Sequence, residues 1–404
     1  MQIAVLGFGT VGSGVVELID RNRKTITGTV PEEIHVKYIL DIREFPCNPY
    51  EDRIVHDYDI ILNDPEIRII CETMGGKEPA RTFTEKALQR GISVCTSNKE
   101  LVAAFGPQLM ATARENHCSY LFEAAVGGGI PIIRPMNTSL TPEYITDIAG
   151  ILNGTTNYIM TRMERENVSF EDSLKQAQEN GYAERDPSAD VDGHDACRKI
   201  AILSSLMCGK TVRYEDIPCE GIRRITTADM AYARKMGMAV KLLGRSRRSE
   251  DGSSFYVRTA PFLVPADHPL HSVEDVFNAV FVHGTMVDNL MFYGRGAGKF
   301  PTASAVVSDV MEEARTLGTT IPCTWSSAET MQLSDPSQEC FRHFVRVSGK
   351  DEDAVRNVFG DVTFVTAEGA PENETAFITA EMTEKCFEDA AARCAGVIGT
   401  VRLL

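Results

Sequence analysis

The 404-residue chain carries 57 Asp and Glu against 41 Lys and Arg, a formal net charge of −16. That surplus excludes nucleic acid as a partner, because phosphate binding demands a basic face. With 43% hydrophobic and 24% charged residues the composition is that of a globular protein with room for two or three domains, and no run approaches the ~20 apolar residues of a membrane helix.

In chain order, the first third alternates short β runs with amphipathic helical stretches, the rhythm of a parallel sheet. Strands are expected at Ile3–Leu6, His35–Leu40, Asp59–Leu62, Ile67–Cys71, Ile92–Thr96 and Ser119–Phe122. Helices are expected from about Val11 to Arg23, and at Glu78–Gln89 and Glu100–Glu115. The middle reads differently. A strand at Glu143–Leu152 precedes helices at Thr155–Glu166, Phe170–Asn180 and Asp195–Cys208. Strands at Met238–Arg245 and Phe255–Val264 follow, then a hairpin of Asn278–Thr285 with Met286–Tyr293. Elements segregated in this way suggest an α+β domain with an antiparallel or mixed sheet.

A helix at Thr302–Arg315 could return to the first domain, and a Ser/Thr/Pro-rich stretch around Thr319–Gln338 would act as linker. The tail reads as βαββαβ: Phe341–Val347, Asp351–Phe359, Val362–Thr366, Thr375–Glu381, Glu384–Cys394 and Val397–Leu403. That order is the ferredoxin-like unit. The expected division is a Rossmann-type domain at 1–133 completed by 300–320, an α+β domain at 134–299, a linker at 321–338 and the tail unit at 339–404.

Eleven scattered cysteines without a Cys-x-x-Cys pair fit reduced thiols in a cytoplasmic protein, not a disulfide framework or zinc site. The start, Met1 to Gly7, shows no basic region or cleavage site, so no signal peptide is expected.

Gly7-Phe8-Gly9-Thr10-Val11-Gly12 follows a strand and opens a helix. Gly7 permits the tight turn, Gly9 lets the backbone approach a pyrophosphate, and Gly12 allows helix and strand to pack closely. A Gly-rich turn in some other α/β protein is the plainer reading. Asp41 and Arg43 stand at the end of the second strand. An acid there suits the ribose hydroxyls of NAD and an arginine suits the 2′-phosphate of NADP, so the pattern leaves the cofactor open. The lean is to NADP with NAD tolerated, on the expectation that Asp41 turns aside. Arg43 as a solvated surface charge is the competing reading.

The stretch Gly181 to Lys199 contains Pro187 and Gly193, so Glu184 to Asp190 is expected to be a loop. It feeds a helix on which Asp195 and Lys199 share a face. Carboxylates (Glu184, Asp195) beside an ammonium suit a small polar substrate with an amine and a hydroxyl. Taken alone, Asp195 and Lys199 would more often be a surface salt bridge. His268-Pro269-Leu270-His271 has metal-like spacing but reads as structural.

Ala177, Gly181, Tyr182, Ala183, Asp186, Pro187, Asp190, Val191, Gly193, Asp195 and Lys199 fall in register with the homoserine dehydrogenase signature, which this stretch resembles. Further stretches resembling that family follow in order: Gly7–Gly12, Thr96-Ser97-Asn98-Lys99, Phe122–Pro131, Asn153–Asn157 and Gly294–Ala303.

The resemblance implies NAD(P)-dependent interconversion of aspartate 4-semialdehyde and homoserine. It implies that Lys199 is the acid/base, that Asp195 and Glu184 hold substrate, and that Lys99 assists proton transfer near the nicotinamide. Cofactor contacts would come from the Gly7–Gly12 turn, Asp41, Arg43, Thr73, Lys99, Gly181 and Gly296. Glu123, Val126, Gly128 and Ile130 would turn oxygens, mostly backbone carbonyls, on a sodium ion, since oxygen-only ligation suits a hard cation. A Gly-rich turn ending the sheet is the plainer reading of those four. The resemblance also implies a homodimer or homotetramer joined through the middle domain. No aspartate kinase is expected ahead of the first strand, and the tail is expected to resemble an ACT-type regulatory unit sensing threonine. Against that, Gly349–Asp353 lacks the proline usual in such a first loop. Two alternatives stay open: a semialdehyde dehydrogenase using a Cys nucleophile, for which no Cys setting fits, and an amino-acid sensor with an inactive body.

Overall fold

Short strands and helices alternate from the first residues in the computed structural model, which describes residues 1–325 and 328–404. The first stretch forms β1 (Gln2–Leu6), α1 (Thr10–Arg21), α2 (Arg23–Thr27), β2 (His35–Leu40), β3 (Ile54–Val55) and α3 (Tyr58–Leu62). β4 (Ile67–Glu72), α4 (Ala80–Gln89), β5 (Ser93–Thr96), α5 (Lys99–Glu115), β6 (Tyr120–Leu121) and α6 (Ile133–Asn137) follow. The middle contributes β7 (Ile145–Ile151), α7 (Gly154–Glu166), α8 (Phe170–Glu179), α9 (Ser188–Val191), α10 (His194–Cys208) and α11 (Thr227–Lys235). Next are β8 (Met238–Arg248), β9 (Phe255–Pro265), β10 (Phe277–Gly284), β11 (Asp288–Arg295) and α12 (Lys299–Thr316). The tail holds β12 (Cys340–Phe341), β13 (His343–Ser348), α13 (Glu352–Phe359), β14 (Val362–Val365) and β15 (Glu374–Thr379). It ends with β16 (Met382–Thr383), α14 (Glu384–Arg393) and β17 (Val397–Leu403).

These elements sort into two units. The first comprises Met1–Glu143, Ala201–Tyr214 and Gly294–Met331. Its sheet has the order β3-β2-β1-β4-β5-β6, with every pair parallel. That is the doubly wound dinucleotide-binding order, with a crevice at the carboxyl ends of β1 and β4. Such strands are buried on both faces and so read as unbroken apolar runs. Ile3, Val5, Val15, Ile19 and Ile69 form its core with Val306 and Val310 of α12, so the late helix completes the early sheet.

Two stretches fold differently from their local pattern. Asp59–Leu62 is not a strand but lies in α3, capped by the Asp57 carboxylate and burying Tyr58, Ile61 and Leu62. A short apolar run reads equally well as either element, and the strand sits just upstream as β3, paired with β2. The Thr319–Gln338 stretch is partly anchored: Trp325 is 1% exposed, packs against Gly106 and Phe122, and donates to Thr211 Oγ1 at 3.2 Å. Ser326 and Ser327 of that expected linker lie outside the described residues.

The second unit comprises Tyr144–Ile200, Glu215–Tyr293 and Gln332–Leu404. A nine-stranded sheet runs β11-β10-β7-β8-β9-β17-β13-β15-β14. From β10 to β14 its pairs are antiparallel except where β17 meets β9, with Arg402 opposite Phe262 and Leu403 opposite Leu263. The tail keeps the βαββαβ order, its strands arranged β17-β13-β15-β14. It does not form a sheet of its own, because β17 extends the sheet of the middle region. Buried ion pairs tie it down: Arg346 to Asp229 at 2.9 Å and Arg258 to Glu339 at 3.2 Å. The expected Glu184–Asp190 loop also holds a turn of helix at its end, α9, with Pro187 as N-cap. A proline ends a helix only from within; before the first turn it is well tolerated.

Candidate active site

In the first unit, the turn from β1 into α1 is built to leave backbone exposed. Gly7 has φ +91°, a left-handed conformation that costs glycine nothing. A Cβ on Gly12 would lie 1.9 Å from the Gly7 carbonyl, whereas one on Gly9 would meet nothing within 4 Å. Helix and turn are therefore in contact on one side and open on the other, where α1 begins at Thr10 without a side-chain cap, a helix start suited to an anion. Thr73 Oγ1 donates to the carbonyls of Leu6 and Gly7, both at 2.9 Å, and braces the turn from β4.

Asp41 does not turn aside. Its Oδ2 accepts the Phe8 N–H at 2.7 Å, locking the turn to the end of β2. Arg43 holds the same carboxylate through Nε at 2.9 Å and Nη2 at 2.8 Å. The guanidinium keeps the Asp41 carboxyl well below the usual carboxylate range. Arg43 itself lies over the Phe45 ring with its other face outward. Between these groups and Gly7, Gly9, Thr73 and Met74 is a cleft of about 410 Å³. The open space at Gly9 and this cleft fit a pyrophosphate and an adenosine.

Lys99 begins α5, whose N-cap Asn98 accepts from Leu101 N at 3.1 Å and donates to the Gly76 carbonyl at 2.6 Å. Beneath it, fully buried Glu72 accepts from Thr96 Oγ1 at 2.5 Å and Met74 N at 2.8 Å. Burial pushes its carboxyl upward. This network pins the ends of β4 and β5, and with them the position of Lys99.

The Glu123–Ile130 loop also belongs to this unit. The Glu123 carboxylate accepts the amides of Ile132, Ile133 and Arg134 at 2.6, 2.9 and 2.6 Å, so its side chain is committed to starting α6. The amides of Ala125, Gly129 and Ile130 bond to the carbonyls of Phe122, Arg295 and Gly127. Gly128 has φ +57°, and a Cβ there would lie 2.3 Å from the Gly296 carbonyl. The two glycine loops expected to meet cofactor and cation thus touch each other.

In the second unit, α10 carries Asp195 and Lys199, 4% and 7% exposed. They are no surface salt bridge. Lys199 Nζ lies 2.9 Å from Asp195 Oδ2 and donates to the Leu152 carbonyl at 2.7 Å. Asn153 Nδ2 donates to Asp195 at 2.9 Å and to Asp190 at 2.7 Å. A buried ammonium is retained only when paired and hydrogen-bonded, and here the Asp195 carboxylate and the Leu152 carbonyl meet that need. Glu184 stands apart: its side chain is exposed and its backbone carbonyl accepts from Gln178. Gly181 ends α8 with φ +73° and open space around it.

Leu152 and Glu72 carry no sequence signal for these tasks, and Asn153 enters only as the first residue of the Asn153–Asn157 stretch. Asn153-Gly154 before a helix carries a local cap signal, but its second task, holding Asp190 and Asp195, links positions too far apart in sequence for any local pattern. Among the described residues no cluster of His, Cys, Asp and Glu could hold a metal ion.

Residues 131–311 match the family model described as homoserine dehydrogenase, and residues 7–123 that of the homoserine dehydrogenase NAD-binding domain. A homoserine dehydrogenase of Synechocystis is 43% identical over 354 residues, 86% of this chain and 79% of its own length. The crystal structure of a homoserine dehydrogenase from Thiobacillus denitrificans superposes with TM-score 0.90 at 32% identity, covering 100% of this chain and 98% of that one. A hyperthermophilic archaeal homoserine dehydrogenase in complex with NADPH matches with TM-score 0.67 at 28% identity, over 80% of this chain and 99% of its own.

Proposed function

The chain belongs to the homoserine dehydrogenase family, and from that premise we propose how its own residues carry out the family's reaction. The reaction is the NAD(P)-dependent interconversion of L-aspartate 4-semialdehyde and L-homoserine. Bound NAD(P)H supplies the hydride to the aldehyde carbon. Negative charge develops on the carbonyl oxygen, and the Lys199 ammonium stabilises it and gives up a proton. Asp195 and the Leu152 carbonyl hold that ammonium charged and aimed. Asp195 and Glu184 bind the amino and hydroxyl groups of substrate, and Lys99 assists the proton's passage. Gly181 and Gly296 complete the cofactor contacts made by the Gly7–Gly12 turn. What carries this reading is the buried Asp195–Lys199 pair, an ammonium held between a carboxylate and the Leu152 carbonyl.

The preferred cofactor is NADP(H), with NAD(H) tolerated. Support comes from Arg43, which neutralises Asp41 and leaves one face of its guanidinium outward for a 2′-phosphate. A sodium ion is held by the carbonyls of Glu123, Val126, Gly128 and Ile130. Oxygen-only ligation of that kind suits a hard cation, and sodium dependence of NADP(H) affinity tests it. Subunits pair as a dimer or tetramer through the second unit's edge strand β11, where Met291 and Tyr293 are exposed. The free cysteines fit a reducing cytoplasm.

Threonine regulation through the tail is supported by a cleft of about 390 Å³ lined by Lys350, Glu352, Glu374 and Thr375, charges that suit an amino acid. Titrating threonine against the full chain is expected to inhibit it, and Lys350→Glu is expected to weaken that inhibition. The decisive assay for the reaction is reduction of NADP by homoserine with wild type and Lys199→Ala. Equal turnover in the two would end the reading.

A further inference from the structure

Two thiols in the second unit sit together outside the residues assigned to substrate and cofactor. Cys197 lies on α10 between Asp195 and Lys199 and is buried. Cys219 belongs to a short segment laid along β9, where it bridges Thr259, and where Glu220 N donates to the Thr259 carbonyl at 2.8 Å. The same segment is wedged under the turn that opens α10: Ile222 N donates to the Val191 carbonyl, and a Cβ on Gly193 would lie 3.2 Å from Cys219 Sγ. Cys197 N donates to the Gly193 carbonyl at 2.9 Å, so both cysteines pack against Gly193 and their thiols meet.

Their surroundings differ in the way an attacking and a resolving thiol differ. Cys219 is only partly buried and lines a cleft of about 530 Å³ with Asp192, His194, Arg223 and Thr400. His194 Nδ1 lies 3.9 Å from its sulfur, and the Asp192 carbonyl 3.4 Å. The hydrogen bond from Cys197 pulls the Cys219 thiol down against burial and the Glu220 and Asp192 carboxylates, while the same hydrogen bond and burial push Cys197 up. Thiolate character and access mark the site of oxidation. The Cys71 and Cys95 pair, opposite each other on β4 and β5, is fully buried and offers no such access.

We propose that Cys219 and Cys197 form a peroxide-sensitive modification site whose disulfide tethers the catalytic helix. The co-reactant is a hydroperoxide. The Cys219 thiolate attacks its outer oxygen, the O–O bond breaks, and a sulfenic acid forms while the other oxygen leaves as alcohol or water. The proton for that leaving group is the one Cys219 loses through His194. The Cys197 thiol then attacks the Cys219 sulfur, the S–S bond forms, and the sulfenic oxygen leaves as water with the Cys197 proton. Two thiols lose two electrons in all, and one peroxide is reduced.

A disulfide needs the two sulfurs closer than a hydrogen bond does, so its formation draws the first turn of α10 toward the segment at Cys219. Asp195 and Lys199 flank Cys197 and move with it. A displacement of about 1 Å in a catalytic group costs about 10²-fold in rate.

The test treats the full chain with hydrogen peroxide, blocks remaining thiols with an alkylating agent and digests with trypsin. The expected product links the peptides 186–198 and 214–223 with loss of two hydrogens. Turnover falls by about 10²-fold in step with that link, and dithiothreitol reverses both. Cys219→Ser and Cys197→Ala each form no link and keep their turnover under peroxide. The cross-link is read without any assay, so a failure of the functional reading above is distinguishable from a failure of this one. Absence of the linked peptide from wild type, a link that leaves turnover unchanged, or equal peroxide inactivation of Cys219→Ser overturns the proposal.

Discussion

The turn at Gly7–Gly12 and the pair on α10 reach the same end, a charge held in place, by opposite means. In the first unit the backbone does the binding. No Cβ stands at Gly9, where a phosphate would come, and there is no room for one at Gly12. In the second unit the side chains act, and the surrounding backbone and amides hold them, Leu152 and Asn153 above all. A site made of backbone fails by not folding or by filling its own space. A site made of side chains fails chemically while the fold stands.

The largest expected effect tests the side-chain half. Lys199→Ala is expected to lower turnover by roughly 10²–10⁴-fold, the range for a positioned acid/base, with dinucleotide affinity unchanged by fluorescence titration. Equal losses in turnover and cofactor affinity would erase the contrast between the units. Next comes Arg43→Ala. Losing a charge-assisted contact to a 2′-phosphate costs about 1.5–3 kcal/mol, so the NADP/NAD ratio of kcat/KM should drop by about 10–10²-fold. An unchanged ratio would leave Arg43 as merely the partner of Asp41.

Gly12→Ala tests the backbone half. With its new methyl 1.9 Å from the Gly7 carbonyl, overpacking should cost about 1–3 kcal/mol of stability in denaturant unfolding, and cofactor affinity should fall with it. An unfolding midpoint at the wild-type value would show that the turn yields cheaply.

The smallest effect concerns the tail. Buried His343 lies 3.3 Å from Glu384, which Arg402 holds at 2.6 and 2.9 Å. Burial pushes His343 down. Burial alone would raise Glu384, but the hydrogen bonds from His343 and Arg402 outweigh it and bring its carboxyl to about 2. Both groups bind fewer protons folded than unfolded, so their contribution is whole above about pH 6.5. It shrinks as pH falls, first through His343 and then, below about 4.3, through Glu384. Wild type should lose stability between about pH 7.5 and about pH 5.5, and His343→Asn should flatten that slope. Equal slopes would remove His343 from the account.

Much of this molecule was legible in its sequence because the determining interactions are local. The glycine turn is written in three residues within six, and β1, β4 and β5 read as apolar runs because a parallel sheet buries both faces. The Asp195–Lys199 spacing is a helix period, and the tail's βαββαβ order follows from its alternation. Where local pattern was ambiguous it misled: the apolar run Asp59–Leu62 lies in a helix, and the residues after Pro187 make a turn of helix rather than loop. No local feature distinguished Asp195 and Lys199 from an exposed pair. Their burial depends on Leu152 and Asn153, some forty residues earlier in sequence. The Asp41 carboxylate stayed in place because the Phe8 amide and the Arg43 guanidinium both bind it. The tail extends the sheet of the second unit because β17 finds an open edge on β9, and the buried pairs at Asp229 and Glu339 close around it. Hydrophobic period and turn chemistry act over a few residues and so belong to the sequence. Burial, the pairing of distant charges and the joining of sheet edges exist only once distant segments meet, and those the tertiary structure decided.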